Sequence, residues 1–173
     1  MSESKIEKLI REYLLEEGLL RKRINDSKID FGYQFAYPPG TNSHVMAVFK
    51  PKDKDLIILS SGTQISPPHV EALNSLKDAK KFQYFNDLRK FFLLKDVFFR
   101  IDIKHHRYEI SDQKFLKEDE HISKNALFEL IRKVFNCAAY SNIILSQYCI
   151  NKMDDDELDK YKDFTSSNFS LYT

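Results

Sequence analysis

Hydrophobic positions along this chain switch between helical spacing and strict alternation, and the switches divide it into elements. Ser4 followed by Glu7 forms a capping box, and Ile6, Leu9, Ile10, Tyr13 and Leu14 then recur at helical spacing as far as Gly18. This predicts an amphipathic first helix closed by a glycine cap. A short strand is expected over 19–24, and Asn25-Asp26-Ser27 turns the chain into a stronger one. There Phe31, Tyr33, Phe35 and Tyr37 alternate with Gly32, Gln34 and Ala36, so four rings share one face until Pro38-Pro39-Gly40 ends the strand.

A third strand is expected over 44–50, a polar hairpin loop over 51–55, and a fourth strand over 56–59. The run Leu56-Ile57-Ile58-Leu59 does not alternate, which suits a central strand covered on both faces. Ser66-Pro67 starts a helix carrying Val70, Leu73 and Leu76, and a second helical stretch over 78–95 presents Phe82, Phe85, Leu88 and Phe92. Val97, Phe99, Ile101 and Ile103 then alternate with Phe98, Arg100, Asp102 and Lys104, and Tyr108 with Ile110 answers them across a turn at His105-His106. Ser123 caps a long final helix with Leu127, Leu130, Ile131, Val134, Phe135, Ala138, Leu145 and Tyr148 on one stripe. Its second half adds Ala139, Tyr140, Ile143 and Ile144, so the stripe widens and calls for a second contact surface.

The pattern predicts an α+β fold with a largely antiparallel sheet flanked by helices, in the order α-β(3-4)-α-α-β-β-α. Residues 1–151 form the single domain, and 152–173 form a polar C-terminal tail in which Asp154-Asp155-Asp156-Glu157 opens a short helix. In the expected core, Phe31, Tyr33, Phe35, Tyr37, Phe99, Ile101, Leu130, Val134 and Leu145 are continuous.

Composition narrows the possible functions. With 27 basic against 26 acidic residues the formal charge is +1, so no global field draws the chain to polyanions. The 14 Phe and 9 Tyr exclude general disorder. Cys137 and Cys149 are twelve positions apart on one helix. That is about 18 Å along its axis, beyond disulfide reach, so buried thiols are expected. The most apolar stretch, 137–150, is broken by Ser141, Asn142, Ser146 and Gln147 and is too short to span a membrane. No apolar signal core opens the chain, and a cytoplasmic protein is expected.

Candidate chemistry is sparse. His105-His106 with Asp102 and Asp112 suggests a divalent metal, but adjacent side chains diverge, and an exposed hairpin tip is expected instead. Asp102 opposite Glu109 would make a carboxylate pair, with Arg100 and Arg107 placed to neutralise it. Ser61-Gly62-Thr63 between a strand and a helix lacks the second glycine and the lysine of a phosphate loop and reads as a plain turn. The aromatic strand is not interleaved with basic residues, which favours core packing over base stacking. No catalytic residue, cofactor site or metal site is assigned. The basic cluster Arg21-Lys22-Arg23 and the pairs Lys80-Lys81 and Arg89-Lys90 sustain one alternative, a nucleic-acid-associated adaptor.

The element order over residues 4–150 resembles the type III secretion chaperone-like architecture, in particular its archaeal and bacterial members of unknown function. That resemblance implies a non-enzymatic homodimer that holds an extended segment of a partner protein on apolar patches, without a cofactor. Met46, Val48 and Phe98, expected on the sheet face opposite the rings, are the candidate partner-binding residues. Phe82, Phe85 and Ile144 are the candidate dimer interface, offering apolar surface beyond what one sheet covers.

Overall fold

A computed structural model describes residues 3–116 and 121–150. The expected tail helix at 154–157 lies outside them. Helix α1 (Lys5–Glu16) is capped by the Ser4 side chain, which accepts from the Glu7 N–H at 3.2 Å. It ends at Gly18, whose φ of +65° is the left-handed conformation that glycine adopts without cost. Strands β1 (Leu20–Arg23), β2 (Ile29–Tyr37), β3 (His44–Pro51) and β4 (Leu56–Gln64) follow as an antiparallel meander. Helices α2 (Pro67–Asn74) and α3 (Asp78–Leu94) then lead to the hairpin β5 (Phe98–Asp102) and β6 (Arg107–Phe115), and α4 (Lys124–Cys149) closes the described fold.

The sheet order is β1-β2-β3-β4-β6-β5, every pairing antiparallel. The α+β class and the antiparallel sheet agree with the sequence reading. β4 is an interior strand, as its unbroken apolar run requires, but it is longer than expected. Ser61-Gly62-Thr63 is not a turn: it continues β4, with Gly62 opposite Glu109 and Thr63 opposite Tyr108. The backbone partners supplied by β6 extend the strand past the last aliphatic residue, an effect that local composition does not carry.

Strand alternation gives the sheet two unlike faces. The inner face carries Phe31, Tyr33, Phe35 and Tyr37 of β2, joined across the registers by Met46 and Val48, Leu59, Ile110 and Tyr108, and Phe99 and Ile101. Among the described residues, the side-chain hydrogen bonds and ring contacts that tie helix to sheet end on this face. Glu7 of α1 accepts from the Tyr33 hydroxyl at 3.1 Å and pairs with Arg23 at 2.7 Å. Phe135 of α4 meets Tyr37 edge-on, Ser141 bonds Tyr108 at 2.6 Å, and Phe92 of α3 touches Phe99 and Tyr108. Phe31, Tyr33, Phe35, Leu130, Val134 and Leu145 lie in the core, with Tyr37, Phe99 and Ile101 packed at its margin.

The widening stripe of α4 finds its second surface within the chain. One side of α4 packs on β4 and β6, and the other is met by α2 and α3, where Tyr84 touches Tyr148, Phe91 touches Tyr140, and the Tyr148 hydroxyl donates to Asp87 at 2.6 Å. Phe85 and Ile144 are consequently buried in the core. This corrects the expectation that they form a dimer interface: the surplus apolar surface of α3 and α4 is largely spent on each other. Phe82, one turn earlier on α3, remains 65% exposed.

Candidate functional site

The outer face of the sheet is built by the residues that alternate with the core. The registers align Gly32, Phe49, Ile58 and Gln113 in one row across four strands, Lys22, Gln34, Ala47, Ser60, Ser111 and Phe98 in the next across all six, and Gly62, Glu109 and Arg100 in the row beyond. Ala36 beside Val45 and Leu56 beside Phe115 flank these rows. Lys22, Glu109 and Arg100 border the face, and the other residues of these rows, with their flanking pairs, are not ionisable. Solvent-facing sheet surfaces ordinarily alternate toward polar and charged side chains, so an uncharged patch of this extent is the unusual feature. Val45, Phe98 and Phe115 are 54%, 57% and 69% exposed, while Phe49 and Ile58 between them are half-buried. Gly32 keeps this surface flat, since a Cβ there would stand 2.9 Å from the Ile29 Cδ1 and 3.1 Å from the Phe49 Cβ.

The partner-binding residues expected from the sequence divide on this point. Phe98 is on the outer face and exposed. Met46 and Val48 are fully buried on the inner one, because the register sets Met46 opposite Phe35 and Val48 opposite Tyr33. Residues paired across an antiparallel ladder share a face, so an assignment one position off in β3 selects the wrong side throughout the strand. Val45, Ala47 and Phe49 occupy the side that Met46 and Val48 were expected to hold. The charged hairpin needs a similar correction. Asp102 lies opposite Arg107 and Arg100 opposite Glu109, so no carboxylate pair forms. Instead the Asp102 carboxylate accepts from the His105 N–H at 3.1 Å and meets its Nδ1 at 2.8 Å, and it is held below its usual range by these bonds. Among the described residues no group of three or more potential metal ligands converges.

A cleft of about 420 Å³ runs along α4 on the helical side, between its middle turns, the start of β3, the end of β4 and the start of α2. Phe135, Ala139, Tyr140, Ile143, Leu145 and Ile65 make it apolar, and Asn136, Asn142, Gln64, Thr63, Ser66 and Ser146 supply neutral polar groups. Its two histidines are His44, edge-on to the Phe135 ring at 5.3 Å, and His69, whose Nδ1 is 2.8 Å from the Ser66 hydroxyl. Burial lowers the pKa of both, which keeps them neutral near pH 7. The lining contains no Asp, Glu, Lys or Arg. Sequence reading missed this cleft because its walls come from three separated segments, with no local motif to join them.

The two thiols offer no chemistry at either surface. Cys137 and Cys149 are buried, and burial raises both, Cys149 to about 11, so neither is a thiolate at neutral pH.

Comparison with known proteins follows this geometry closely. A family model described as an uncharacterized conserved protein, DUF2299, matches residues 6–145, which spans α1 through most of α4. The chain belongs to this family. A crystal structure of an uncharacterized protein from Methanothermobacter thermautotrophicus is similar to this DUF2299 chain, with 25% sequence identity and a TM-score of 0.75. The alignment covers 83% of this chain and 99% of that one, so the shared fold is essentially the whole of the archaeal protein. No curated protein matches the chain. No helix among the described residues is long and apolar enough to cross a membrane.

Proposed function

We propose that this DUF2299 protein is a non-enzymatic, chaperone-like interaction module of the cytoplasm that holds an apolar segment of a partner protein on the outer face of its sheet. The observation that carries this reading is the uncharged surface around Val45, Phe49, Phe98 and Phe115, which no described helix covers. An apolar sheet face in water is unfavourable by roughly 25 cal/mol for each Å² left exposed, and covering it is the simplest source of affinity for a partner. The alternation of Phe98 and Phe115 with Ser60, Ser111 and Gln113 also supplies neutral hydrogen-bonding groups for the backbone of an extended segment. The likeness in element order to type III secretion chaperones supports the same reading, and self-association is part of the proposal. Phe82 and Leu93 lie on one outward stripe of α3, three turns apart, at 65% and 68% exposure.

The test uses reduced α-lactalbumin as a client that exposes apolar segments. Light scattering should show that the protein suppresses client aggregation near equimolar ratio, and that Phe98→Ser combined with Phe115→Ser removes most of the effect without lowering the melting temperature. Suppression that survives the double change, or none by the parent, would sink the reading. A nucleic-acid adaptor would instead bind a heparin column with steep salt dependence. The geometry favours that alternative less, since in the basic region near β1 Arg23 pairs with Glu7, Arg11 with Glu3 and Lys50 with Asp30.

A further inference from the structure

The sheet has two edges, β1 and β5, and the chain treats them differently. A free edge strand offers a row of unpaired N–H and C=O groups to any other strand, and proteins blunt such edges with basic side chains and bulges. β1 carries both devices: Arg21, Lys22 and Arg23 are exposed, and its register with β2 shifts between Leu20 and Lys22. β5 has no bulge and a single cation, Arg100. It runs in unbroken register with β6 from Phe98 to Asp102, and among the described residues its backbone makes no hydrogen bond other than those to β6. Phe98 is exposed at its start and Ile103 just past its end.

The helical layer ends at the same place. Phe92 of α3 packs on Phe99 of β5, while Phe91 and Asp87 face Tyr140 and Tyr148 of α4, which lies inward over β4 and β6. Leu93 is two positions from Phe91, about 200° round the helix, so the stripe of Phe82 and Leu93 points away from α4 and out past the β5 edge. Strand and helix together make one two-layered lateral surface.

We infer that β5 pairs antiparallel with β5 of a second copy across a two-fold axis, joining the two outer faces into one continuous sheet with Phe98 of each chain beside the seam. The pairing presupposes the self-association of the proposed holding module and gives it a place. A second copy fits this surface better than an extended strand of another protein, because it brings a helix as well as a strand. An isologous approach sets α3 against α3 and covers Phe82 and Leu93, which a lone strand would leave in water. A stable interface buries about 800 Å² on each partner, and the α3 layer supplies area that two five-residue strands lack. Charge selects the register. Arg100 has no ion-pair partner among the described residues and lies two positions from Asp102 on the same face. An axis through Ile101 sets Arg100 of each chain opposite Asp102 of the other, whereas an axis through Arg100 would oppose two cations.

The test uses the full chain carrying Arg100→Cys, since in this register the two introduced thiols are diagonal neighbours with Cα atoms about 7–8 Å apart. Bismaleimidoethane should convert it at micromolar concentration to a covalent dimer on a denaturing gel. The parent, whose Cys137 and Cys149 are buried, and Lys22→Cys on the β1 edge should give none. Adding Phe82→Asp and Leu93→Asp should lower the cross-linked fraction at least about tenfold while circular dichroism confirms the fold. Sedimentation of the same samples locates any failure: a dimer that links through Lys22→Cys, or through neither site, places the contact elsewhere, and a monomer removes it, so each overturns the pairing. Suppression of α-lactalbumin aggregation by the parent is scored alongside. A failed cross-link with suppression intact strikes the edge pairing alone, and a cross-link without suppression supports the pairing and strikes the holding of clients.

Discussion

Three buried side chains show how differently a single group contributes to this fold. Phe35 is fully enclosed at the centre of the inner face, and Phe35→Ala should destabilise by about 3–5 kcal/mol in denaturant unfolding, from lost transfer energy and a cavity that the sheet cannot close. Tyr84 is also fully enclosed, yet its hydroxyl has no hydrogen-bond partner among the described residues, and burial drives its pKa far upward. A buried unsatisfied hydroxyl is unfavourable by about 1–3 kcal/mol, so Tyr84→Phe should leave the melting point unchanged or raise it. A loss above 1 kcal/mol would mean that the hydroxyl has a partner in solution. His69 is 2% exposed, and burial lowers its pKa as it does that of His44. Because the folded values are below the unfolded one near 6.5, this part of the stability is complete above that pH and is lost as pH falls through it. Melting curves at pH 7.5 and 5.5 should therefore converge when His44 and His69 are both replaced by Gln. Of these roles only that of Phe35 is legible in the residues, from the alternation of β2, whereas the sequence marks Tyr84 and His69 no differently from exposed neighbours.

Among the elements, legibility followed the strength of the local period. α1 and α4 were plain from Ser4, Ser123 and their stripes, and both caps form as the sequence implies. β2 was plain because four rings alternate with small or neutral residues. β3 was located within a residue, but its two faces were exchanged, since Val45, Ala47 and Phe49 are as apolar as Met46 and Val48 and only pairing with β2 tells them apart. The extension of β4 and the mutual burial of α3 and α4 depend on partners distant in sequence, which a periodicity cannot contain. α1 illustrates a link that the period missed. Glu7 is 5% exposed on its buried stripe, where it joins Tyr33 and Arg23. Burial and the Glu7 bond push the Tyr33 phenol up to about 12. Glu7→Ala should cost about 1–2 kcal/mol, mainly by leaving that phenol unpaired, and Tyr33→Phe in the same background should recover part of it. Additive losses in the double-mutant cycle would show that the two groups act independently.

For the whole molecule, the candidate surfaces occupy opposite sides, the bare sheet face on one and the α4 cleft on the other. This separation was not legible, because it follows from all the described helices lying over one side of the sheet. Sedimentation at micromolar concentration should report about twice the 20.5 kDa chain mass, and Phe82→Asp with Leu93→Asp should halve it. A monomer at high concentration would remove self-association from the proposed function while leaving the sheet face untouched.

The strand order has a kinetic consequence. The β1–β4 meander closes through short connections, whereas β6 reaches β4 only after the excursion through α2, α3 and β5, with Gln64 and Arg107 meeting across 42 intervening residues. Closing so long a loop is entropically slower than closing a hairpin, so β4, which carries Ile57 and Leu59, should spend the early part of folding as an unpaired edge. Pulsed hydrogen exchange would then find β2 and β3 amides protected before those of β6. During that interval the protein itself is a sticky, half-zipped sheet, and crowded refolding should lose yield to strand-to-strand aggregation in proportion to how long β6 takes to arrive.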